Sequence, residues 1–453
     1  MTVSFVSEAG MNLPALPLEI LVEIVRSIDA TSQEGRRTLS TFARTSHIFT
    51  KLCQKRIFRD VEIDYIKSGI NPPAWSHHTF VIRDGDTSNN EFTTGHLFRA
   101  LIYASPHIAS YVHTLTVRVS EDKVTRWTTG RPPMTQMTTS AMDSFSLYAV
   151  LPRLTNLTAF RTYGRLPILW HNLELTTQTH FSRIISQYPR VGLSLFQYLP
   201  PMLFCQCTKL EHLSVGSLWP IQLDVEVKMV CKTSLRTLEI GFQNSTEDLP
   251  MAEWFRNPYP ALSLSRLQSL KVSDIHCRGD HLEALLELCA TTLEELDIHL
   301  RIPENTPDLS LLKKLRFLTI RLRLVSPEGN QPVNDQSLIN PFIHTISTLR
   351  TLPWASFLPQ QLHLTIHLSV ISLPNFDNAL PRLAGWSDLT NFLNDDTMTL
   401  FIGHTRLVLQ PTEKYFSGLK SIPMSLPGLA DILNKNSRLR AWRESRRLSY
   451  GCA

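Results

Sequence analysis

The fold is decided by a helix-like stretch, Asp280-His281-Leu282-Glu283-Ala284-Leu285-Leu286-Glu287-Leu288-Cys289-Ala290, and by the strand-like stretch after it, Leu293-Glu294-Glu295-Leu296-Asp297-Ile298. Apolar residues recur at helical spacing in the first stretch and predict one buried face, formed by Leu282, Leu285, Leu286, Cys289 and Ala290. The second stretch alternates as a half-buried strand does. Neither piece can bury its apolar side alone, so copies of this unit must stack on one another.

The strand-like half of this unit recurs along the chain. The pattern LxxLx[LIV] matches at Leu210-Leu213-Val215, Leu235-Leu238-Ile240, Leu267-Leu270-Val272, Leu293-Leu296-Ile298 and Leu315-Leu318-Ile320. The middle leucines are 25, 32, 26 and 22 residues apart, and repeats of about 20–29 residues are typical of leucine-rich-repeat solenoids. The Asn or Cys usual after such a strand is absent. We therefore expect a degenerate, irregular α/β solenoid over residues 96–410.

Weaker copies of the pattern extend the predicted array in both directions. They comprise Leu154–Phe160, a strand at Leu362–Leu368 after a helix at Ser337–Leu349, and final strands at Met398–Ile402 and Arg406–Leu409. Towards the N-terminus, a helix at His96–Ser110 and a strand at Val112–Val119 are also predicted.

Composition separates the chain into two regions and excludes several functions. Residues 1–150 hold 10 leucines and residues 151–453 hold 57. The 17 glycines of the 453-residue chain form no GxGxxG, GxxxxGK[ST] or GxSxG motif, which removes the usual support for dinucleotide, Walker-type and hydrolase sites. No combination of nucleophile, base and orienting acid is recognisable, so we expect a protein that is not an enzyme.

The net charge of +5 lies at one end of the chain. Residues 411–453 hold eight basic and three acidic residues, and the rest is balanced, so nucleic acid is an unlikely partner of the body. We interpret residues 411–453 as a basic C-terminal cap or tail, in which Leu429, Ile432, Leu433, Leu439 and Trp442 could form one side of a helix. Contact with an acidic partner and a nuclear address remain alternatives.

Cysteine usage indicates the compartment and bears on metal binding. Seven cysteines in a chain of this length do not indicate a disulfide scaffold. Met1–Gly10 does not have the pattern of a secretion signal. The sequence has no run of about 18 apolar residues, so it predicts no membrane span. We expect a cytoplasmic or nuclear protein. Cys205-x-Cys207 with Cys231, and His276-Cys277-x-x-Asp280-His281, lack the paired four-ligand spacing of structural zinc, so no metal and no cofactor are expected.

The N-terminal region carries a second, purely helical pattern. Apolar residues recur at helical spacing from Pro17 to Ile28, a polar stretch from Asp29 to Thr38 interrupts the pattern, and a second apolar set follows. That set consists of Leu39, Phe42, Ala43, Ile48, Phe49, Leu52 and Cys53. It leads into Val61-Glu62-Ile63, which alternates like a short strand. So small a helical unit buries little core and would gain stability by docking on something else.

These residues resemble the F-box family, in its divergent fungal form. The resemblance rests on Leu16-Pro17-x-Glu19-Ile20-Leu21-x-x-Ile24, Leu39, Ser46-His47-x-Phe49 and Ile57-Phe58-Arg59-Asp60-Val61. It implies a three-helix module over residues 11–63 that binds a Skp-type adaptor and, through it, a cullin scaffold. A Trp that many members carry late in the motif is missing here. The resemblance points to six residues for adaptor binding or for shaping that surface: Leu16, Pro17, Ile20, Leu21, Ile24 and Phe49.

Together these patterns predict a flexible N-terminus (1–10), an F-box (11–63), a connector (64–95), the solenoid (96–410) and the basic segment (411–453). By resemblance, the chain is expected to be the substrate-recognition subunit of an SCF-type ubiquitin ligase that binds an unknown protein target. The alternative is a leucine-rich-repeat interaction scaffold without a ubiquitin role. Target contacts are expected at exposed strand positions: His212, Ser214, Arg236, Glu239, Gln268, Lys271, Glu295, Asp297, Phe317 and Thr319.

Overall fold

The chain folds into two compact units, Met1–Phe196 and Gln197–Ala453, each with parallel β-strands and α-helices. The structure is a computed structural model. It describes residues 17–30, 32–45, 47–65, 94–119, 150–164, 168–170, 175–194, 196–197, 199–204, 206–216, 234–241, 262–273, 279–300, 307–325, 341–357, 361–371, 385–393, 395, 400–411 and 448–452. The predicted α/β class is confirmed.

Three helices open the first unit: α1 (Leu18–Ser27), α2 (Gln33–Thr45) and α3 (His47–Ile57). We call these helices and the turns between them the helical head. Pro17 precedes α1, and its carbonyl accepts the amide N–H groups of Ile20 and Leu21 at 3.1 and 3.3 Å. A proline suits this position because the first amides of a helix have no partner within the helix.

The polar stretch from Asp29 to Thr38 does not interrupt helical structure as far as the sequence suggested. Helix α2 already begins at Gln33, and the Ser32 hydroxyl accepts the Gly35 N–H at 3.1 Å, as a helix cap does. Gly35 also lies against the preceding turn, where a Cβ would stand 1.9 Å from the Asp29 carbonyl oxygen. A polar sequence forms a helix here because a cap and a close backbone approach fix its start.

Four parallel strands follow in the first unit: β1 (Asp60–Tyr65), β2 (Thr114–Val119), β3 (Ala159–Gly164) and, after the short β4 (Ile168–Leu169), β5 (Arg190–Leu193). A two-residue strand, β6 (Phe196–Gln197), follows β5 along the chain. The connecting helices are α4 (Thr94–Ala104), α5 (Pro106–Ala109) and α6 (Leu175–Ile185). The helix predicted at His96–Ser110 is thus two helices, and the last residues assigned to the F-box, 60–63, form a sheet strand.

The described residues of the second unit form eight parallel strands whose spatial order follows the chain. They are β7 (His212–Val215), β8 (Thr237–Gly241), β9 (Ser269–Ser273), β10 (Glu295–Leu300), β11 (Phe317–Val325), β12 (Leu362–Ile371), β13 (Ile402–Pro411) and β14 (Leu448–Cys452). Helix α7 (Gly279–Cys289) connects β9 to β10, and α8 (Pro341–Arg350) packs against both β11 and α9 (Trp386–Leu393).

The five LxxLx[LIV] matches lie in register. Their middle leucines, Leu213, Leu238, Leu270, Leu296 and Leu318, are direct partners across adjacent strands and are all buried. In α7, Leu282, Leu285, Leu286 and Cys289 are buried as predicted, while Ala290 is partly buried. The helix and the strand that follows it therefore both bury leucine residues, as the sequence pattern predicted.

A repeated backbone link sets where each of these strands starts. The carbonyl of Glu211 accepts two successive amides, those of Arg236 and Thr237, at 2.8 and 3.1 Å. The carbonyls of Arg236, Gln268 and Glu294 each accept two successive amides of the following strand segment in the same way. The shared link holds neighbouring strands at one register through backbone atoms alone.

The C-terminal part of the chain departs from two expectations. One strand, β13, replaces the two predicted at Met398–Ile402 and Arg406–Leu409, and β14 lies within the segment assigned to a cap or tail. The predicted helix from Leu429 to Trp442, the N-terminus 1–10 and most of the connector lie outside the described residues. Among the helices that are described, none has the length and apolarity needed to cross a bilayer.

Candidate functional site

Helix α1 has one buried and one exposed apolar side. Leu21 and Val25 are 1% and 4% exposed, whereas Ile20 and Ile24 are 47% and 37% exposed. Positions 20 and 24 are four residues apart, so they lie on one face of the helix. The exposed pair is flanked by Pro17 and Glu23, which are also exposed. We call Pro17, Ile20 and Ile24 the α1 patch.

A small core fixes the orientation of this patch. Its buried members are Leu21, Val25, Leu39, Phe49 and Cys53. The Phe49 ring stacks on Phe42 with 5.4 Å between ring centroids, which joins α3 to α2. Because α1 contributes Leu21 and Val25 to this core, Ile20 and Ile24 must face away from it.

The structure sorts the six residues expected at the adaptor surface. Leu21 and Phe49 belong to the core of the helical head, while Pro17, Ile20 and Ile24 are exposed. Leu16 lies outside the described residues. From the sequence alone, it was not possible to tell which of these residues contact a partner and which hold the helices together.

Eight of the ten residues expected at a target surface lie on strands of the second unit. His212 and Ser214 lie on β7, Glu239 on β8, Lys271 on β9, Glu295 and Asp297 on β10, and Phe317 and Thr319 on β11; Arg236 and Gln268 immediately precede β8 and β9. None of the ten is buried. The eight that lie within the strands alternate with buried aliphatic residues, and we call the side these eight share the outward strand face. Arg236 and Gln268 stand outside that alternation, one residue before their strands begin.

The strand register aligns these residues in rows. Ser214, Glu239, Lys271, Asp297 and Thr319 are successive direct partners from β7 to β11. Direct partners on parallel strands lie about 4.8 Å apart, so this row is a continuous line of polar side chains. The five strand segments are far apart in sequence, and the row exists only once the sheet has formed.

Two ion pairs hold charge within the row. Lys271 Nζ donates to Glu239 Oε1, and the Arg321 guanidinium donates to both carboxylate oxygens of Asp297 at 2.7 Å. The hydrogen bonds that Arg321 donates to Asp297 raise the pKa of Arg321 above its ordinary value. Asp297 is only 14% exposed, so this second pair is the more protected from solvent. Acidic charge on β8–β10 is thereby partly neutralised.

The outward strand face continues over β12 and β13, two strands on which no site residues were predicted from the sequence. The Phe317 ring stacks on the His363 ring at 5.1 Å, and the His404 ring follows at 6.3 Å. His367 and Arg406 lie on the same face. The alternation of His363, Thr365 and His367 with buried Leu362, Leu364 and Ile366 was the signal that could have revealed them.

His367 lies in a positively charged environment. Its burial and the nearby Arg321 and Arg406 lower its pKa, against the opposing influence of Asp297. The neutral imidazole is therefore favoured at this position at neutral pH.

The described residues contain no group of three potential metal ligands. Cys205, Cys231, His276 and Cys277, considered in the sequence for zinc, lie outside them. Cys207 is buried and donates its thiol to the Leu203 carbonyl. Burial raises the pKa of Cys289 to about 12, which disfavours the nucleophilic thiolate.

The two surfaces differ in chemistry: α1 presents aliphatic side chains, and the strands present charged and aromatic ones. No protein-family model matches this sequence, and no curated protein is significantly similar to it.

Proposed function

We propose that this chain is the target-recognition subunit of an SCF-type ubiquitin ligase. The helical head would act as an F-box that binds a Skp-type adaptor and thereby a cullin scaffold. The strands and helices that follow would form an irregular leucine-rich-repeat solenoid that binds a protein target. The chain itself would carry out no chemistry.

The observation that carries the proposal is the exposed aliphatic pair on α1. Ile20 and Ile24 stay accessible although Leu21 and Val25 of the same helix are buried. Exposed aliphatic side chains gathered on one face are typical of protein interaction sites. They stand in the segment whose sequence resembles the F-box, Leu16-Pro17-x-Glu19-Ile20-Leu21-x-x-Ile24.

The architecture of the second unit supports the proposed solenoid. Each LxxLx[LIV] match contributes one parallel strand, neighbouring matches are neighbouring strands, and the buried leucines are in register. Helix α7 between β9 and β10 supplies the other half of a repeat. Stacked repeats of this kind present one side chain in two along each strand to a partner.

The proposed role is to raise the local concentration of a target. A target bound on the outward strand face would be held on the same chain as the adaptor, so that ubiquitin transfer becomes an encounter within one assembly. This requires two separate binding surfaces of different chemistry on one chain.

The test is co-purification of a Skp-type adaptor with the full chain. The double variant Ile20→Asp plus Ile24→Asp should lose the adaptor, because two charges would replace the aliphatic contact. Neither residue belongs to the core of the helical head, so the head should stay folded. A matched control, Thr38→Asp plus Thr41→Asp, adds the same charge at two exposed positions of α2 and should retain the adaptor.

Two results would overturn the proposal. The first is failure of the wild-type chain to bind any Skp-type adaptor, which would favour an interaction scaffold without a ubiquitin role. The second is equal adaptor recovery from the wild type and the Ile20/Ile24 variant.

A further inference from the structure

The outward strand face differs in charge between its two halves. Strands β8–β10 carry Glu239, Glu295 and Asp297 on this face. Strands β11–β13, Phe317–Val325, Leu362–Ile371 and Ile402–Pro411, contain no Asp or Glu at all. A partner that crosses the whole face would therefore meet a change from mixed to basic character.

The basic half, on β11–β13, carries side chains that can pair with anionic groups. Arg321, His363, His367, His404 and Arg406 all lie on this half of the face. Arg321 is already engaged by Asp297. Arg406 is exposed, and no carboxylate lies within ion-pair distance of it among the described residues. Among the described side chains of this half, Arg406 is thus an exposed positive charge without a carboxylate partner.

An exposed aromatic side chain borders this half. Phe317 is 48% exposed and stacks on His363, and His404 lies one strand further. The three rings form a row across β11, β12 and β13, because Phe317 pairs with His363 and His363 with His404. A rigid aromatic row beside positive charge provides apolar contact area at little entropic cost.

We propose that the outward face of β11–β13 binds an extended, Asp/Glu-rich segment of a protein partner. The inference rests on the proposed function and names the chemistry of the target that the repeats would recognise. Arg406 would supply the main ionic contact, the histidines would donate hydrogen bonds to carboxylates, and Phe317 would contact an apolar residue of the same segment.

The distribution of these groups favours several carboxylates over a single phosphate. His363 and His367 are four residues apart on one strand, a separation of about 13 Å, and Arg406 lies on the neighbouring strand. One phosphate cannot reach all of them, whereas an extended chain with acidic side chains at alternate positions can.

The same distribution disfavours nucleic acid. A nucleic-acid surface needs many Lys and Arg side chains that follow a phosphate backbone. Here the described side chains are Arg406, the Asp297-paired Arg321 and three histidines, and they stand beside acidic Glu295 and Asp297. An acidic peptide can avoid those carboxylates by lying over β11–β13 only.

The test measures peptide binding to the full chain by fluorescence anisotropy. The probe is a fluorescein-labelled peptide of alternating Glu and Ser, and its control peptide replaces every Glu with Gln. The Glu peptide should bind more tightly, and its affinity should fall as salt is added. Arg406→Glu should weaken binding about tenfold, and His363→Glu should act in the same direction.

A matched control separates the surface from overall charge. Arg266→Glu makes the same charge change at an exposed position that precedes β9 and should change affinity less than about twofold. Equal binding of the Glu and Gln peptides, or equal losses for Arg406→Glu and Arg266→Glu, would overturn the inference. So would tighter binding of a single-stranded RNA oligonucleotide with the same dependence on Arg406.

Adaptor capture by the same preparations distinguishes the two proposals. A chain that captures the adaptor but does not discriminate the peptides contradicts the acidic-segment inference alone. A chain that discriminates the peptides but captures no adaptor contradicts the ligase proposal alone.

Discussion

The helical head and the outward strand face present opposite kinds of surface. On α1, Ile20 and Ile24 are exposed although Leu21 and Val25 are buried, and the α1 patch is aliphatic beside the charged side chain of Glu23. On β7–β13, buried aliphatic residues alternate with polar, charged and aromatic ones. An apolar surface suits a permanent partner because it gains from being covered. A polar one suits selection among partners, because mismatched charges there are penalised.

The two surfaces also rest on cores of different size. Five buried residues hold the helical head, whereas the leucines of the second unit continue in register from strand to strand. A substitution in the smaller core removes a larger fraction of its stability. Substitutions on the buried and exposed sides of α1 should therefore differ more in their effect on the free energy of unfolding than substitutions at any pair of positions on the strands.

The largest expected effect is at Leu21. Leu21→Ala should lower the free energy of unfolding of the helical head by about 2–5 kcal/mol, because it leaves a cavity in a five-residue core. Ile20→Ala, one residue earlier, should change it by no more than about 0.5 kcal/mol. Native-state hydrogen exchange of the α1–α3 amides measures both values in the full chain.

Adaptor binding should depend directly on Ile20, the residue whose substitution changes stability least. Ile20→Ala should weaken capture of a Skp-type adaptor although the head stays protected from exchange. Equal destabilisation by the two substitutions would mean that α1 does not have the two distinct sides described above.

The sequence predicted the part of the fold that depends on repetition. Leu213, Leu238, Leu270, Leu296 and Leu318 recur at similar intervals, and a strand that hides one leucine can pair with the next only in that register. The buried face of α7 followed from its helical period. Both depend on local patterns that neighbouring copies reinforce.

Other features depend on packing that no local pattern contains. Leu21 and Ile20 are adjacent and equally apolar, and only the positions of α2 and α3 decide which is buried. Arg321 donates a hydrogen bond to Asp297, which is 24 residues away in the sequence, and the His363 ring lies beside the His404 ring, which is 41 residues away. Both contacts form only when the strands are in register. The start of α2 was missed because it is fixed by the Ser32 hydroxyl cap and by the close approach of Gly35 to the Asp29 carbonyl, and neither contact produces an apolar pattern in the sequence.

The next largest effect should separate the two ion pairs of the outward strand face. Asp297→Ala should lower the local stability of β10 and β11 by about 1–3 kcal/mol, because it leaves the half-buried Arg321 without its bidentate acceptor. Glu239→Ala should cost less than about 1 kcal/mol, since Glu239 and Lys271 are 38% and 39% exposed. Hydrogen exchange of the β10 and β11 amides measures the difference.

A double-mutant cycle provides the control for this comparison. Asp297→Ala and Arg321→Ala together should cost less than the sum of the single changes, because the second change removes the stranded charge. Additive losses would contradict an energetic coupling between the two side chains.

The smallest expected effect is a pH dependence that arises from His367. Its pKa in the folded protein is lowered from 6.5, by burial first and then by Arg321 and Arg406. Below pH 6.5 the unfolded chain binds a proton that the folded chain binds less readily, so stability should fall as the pH decreases through this range. The melting temperature of the wild type should therefore drop between pH 7.5 and pH 5.5, and His367→Gln should reduce that drop.

His344 on α8 supplies the comparison that makes this test specific, because burial lowers its pKa in the same direction. His344→Gln should remove a separate share of the pH dependence, and the double variant should show the sum of both reductions, since independent sites add. Unlike His344, His367 faces Arg321 and Arg406, where the Glu-containing peptide is proposed to bind. Adding that peptide should therefore reduce the part of the fall in melting temperature that depends on His367. The part that depends on His344 should stay unchanged. An identical drop in the wild type and in His367→Gln would show that His367 does not feel the positive charge of the outward strand face, and would weaken the case for an acidic partner there.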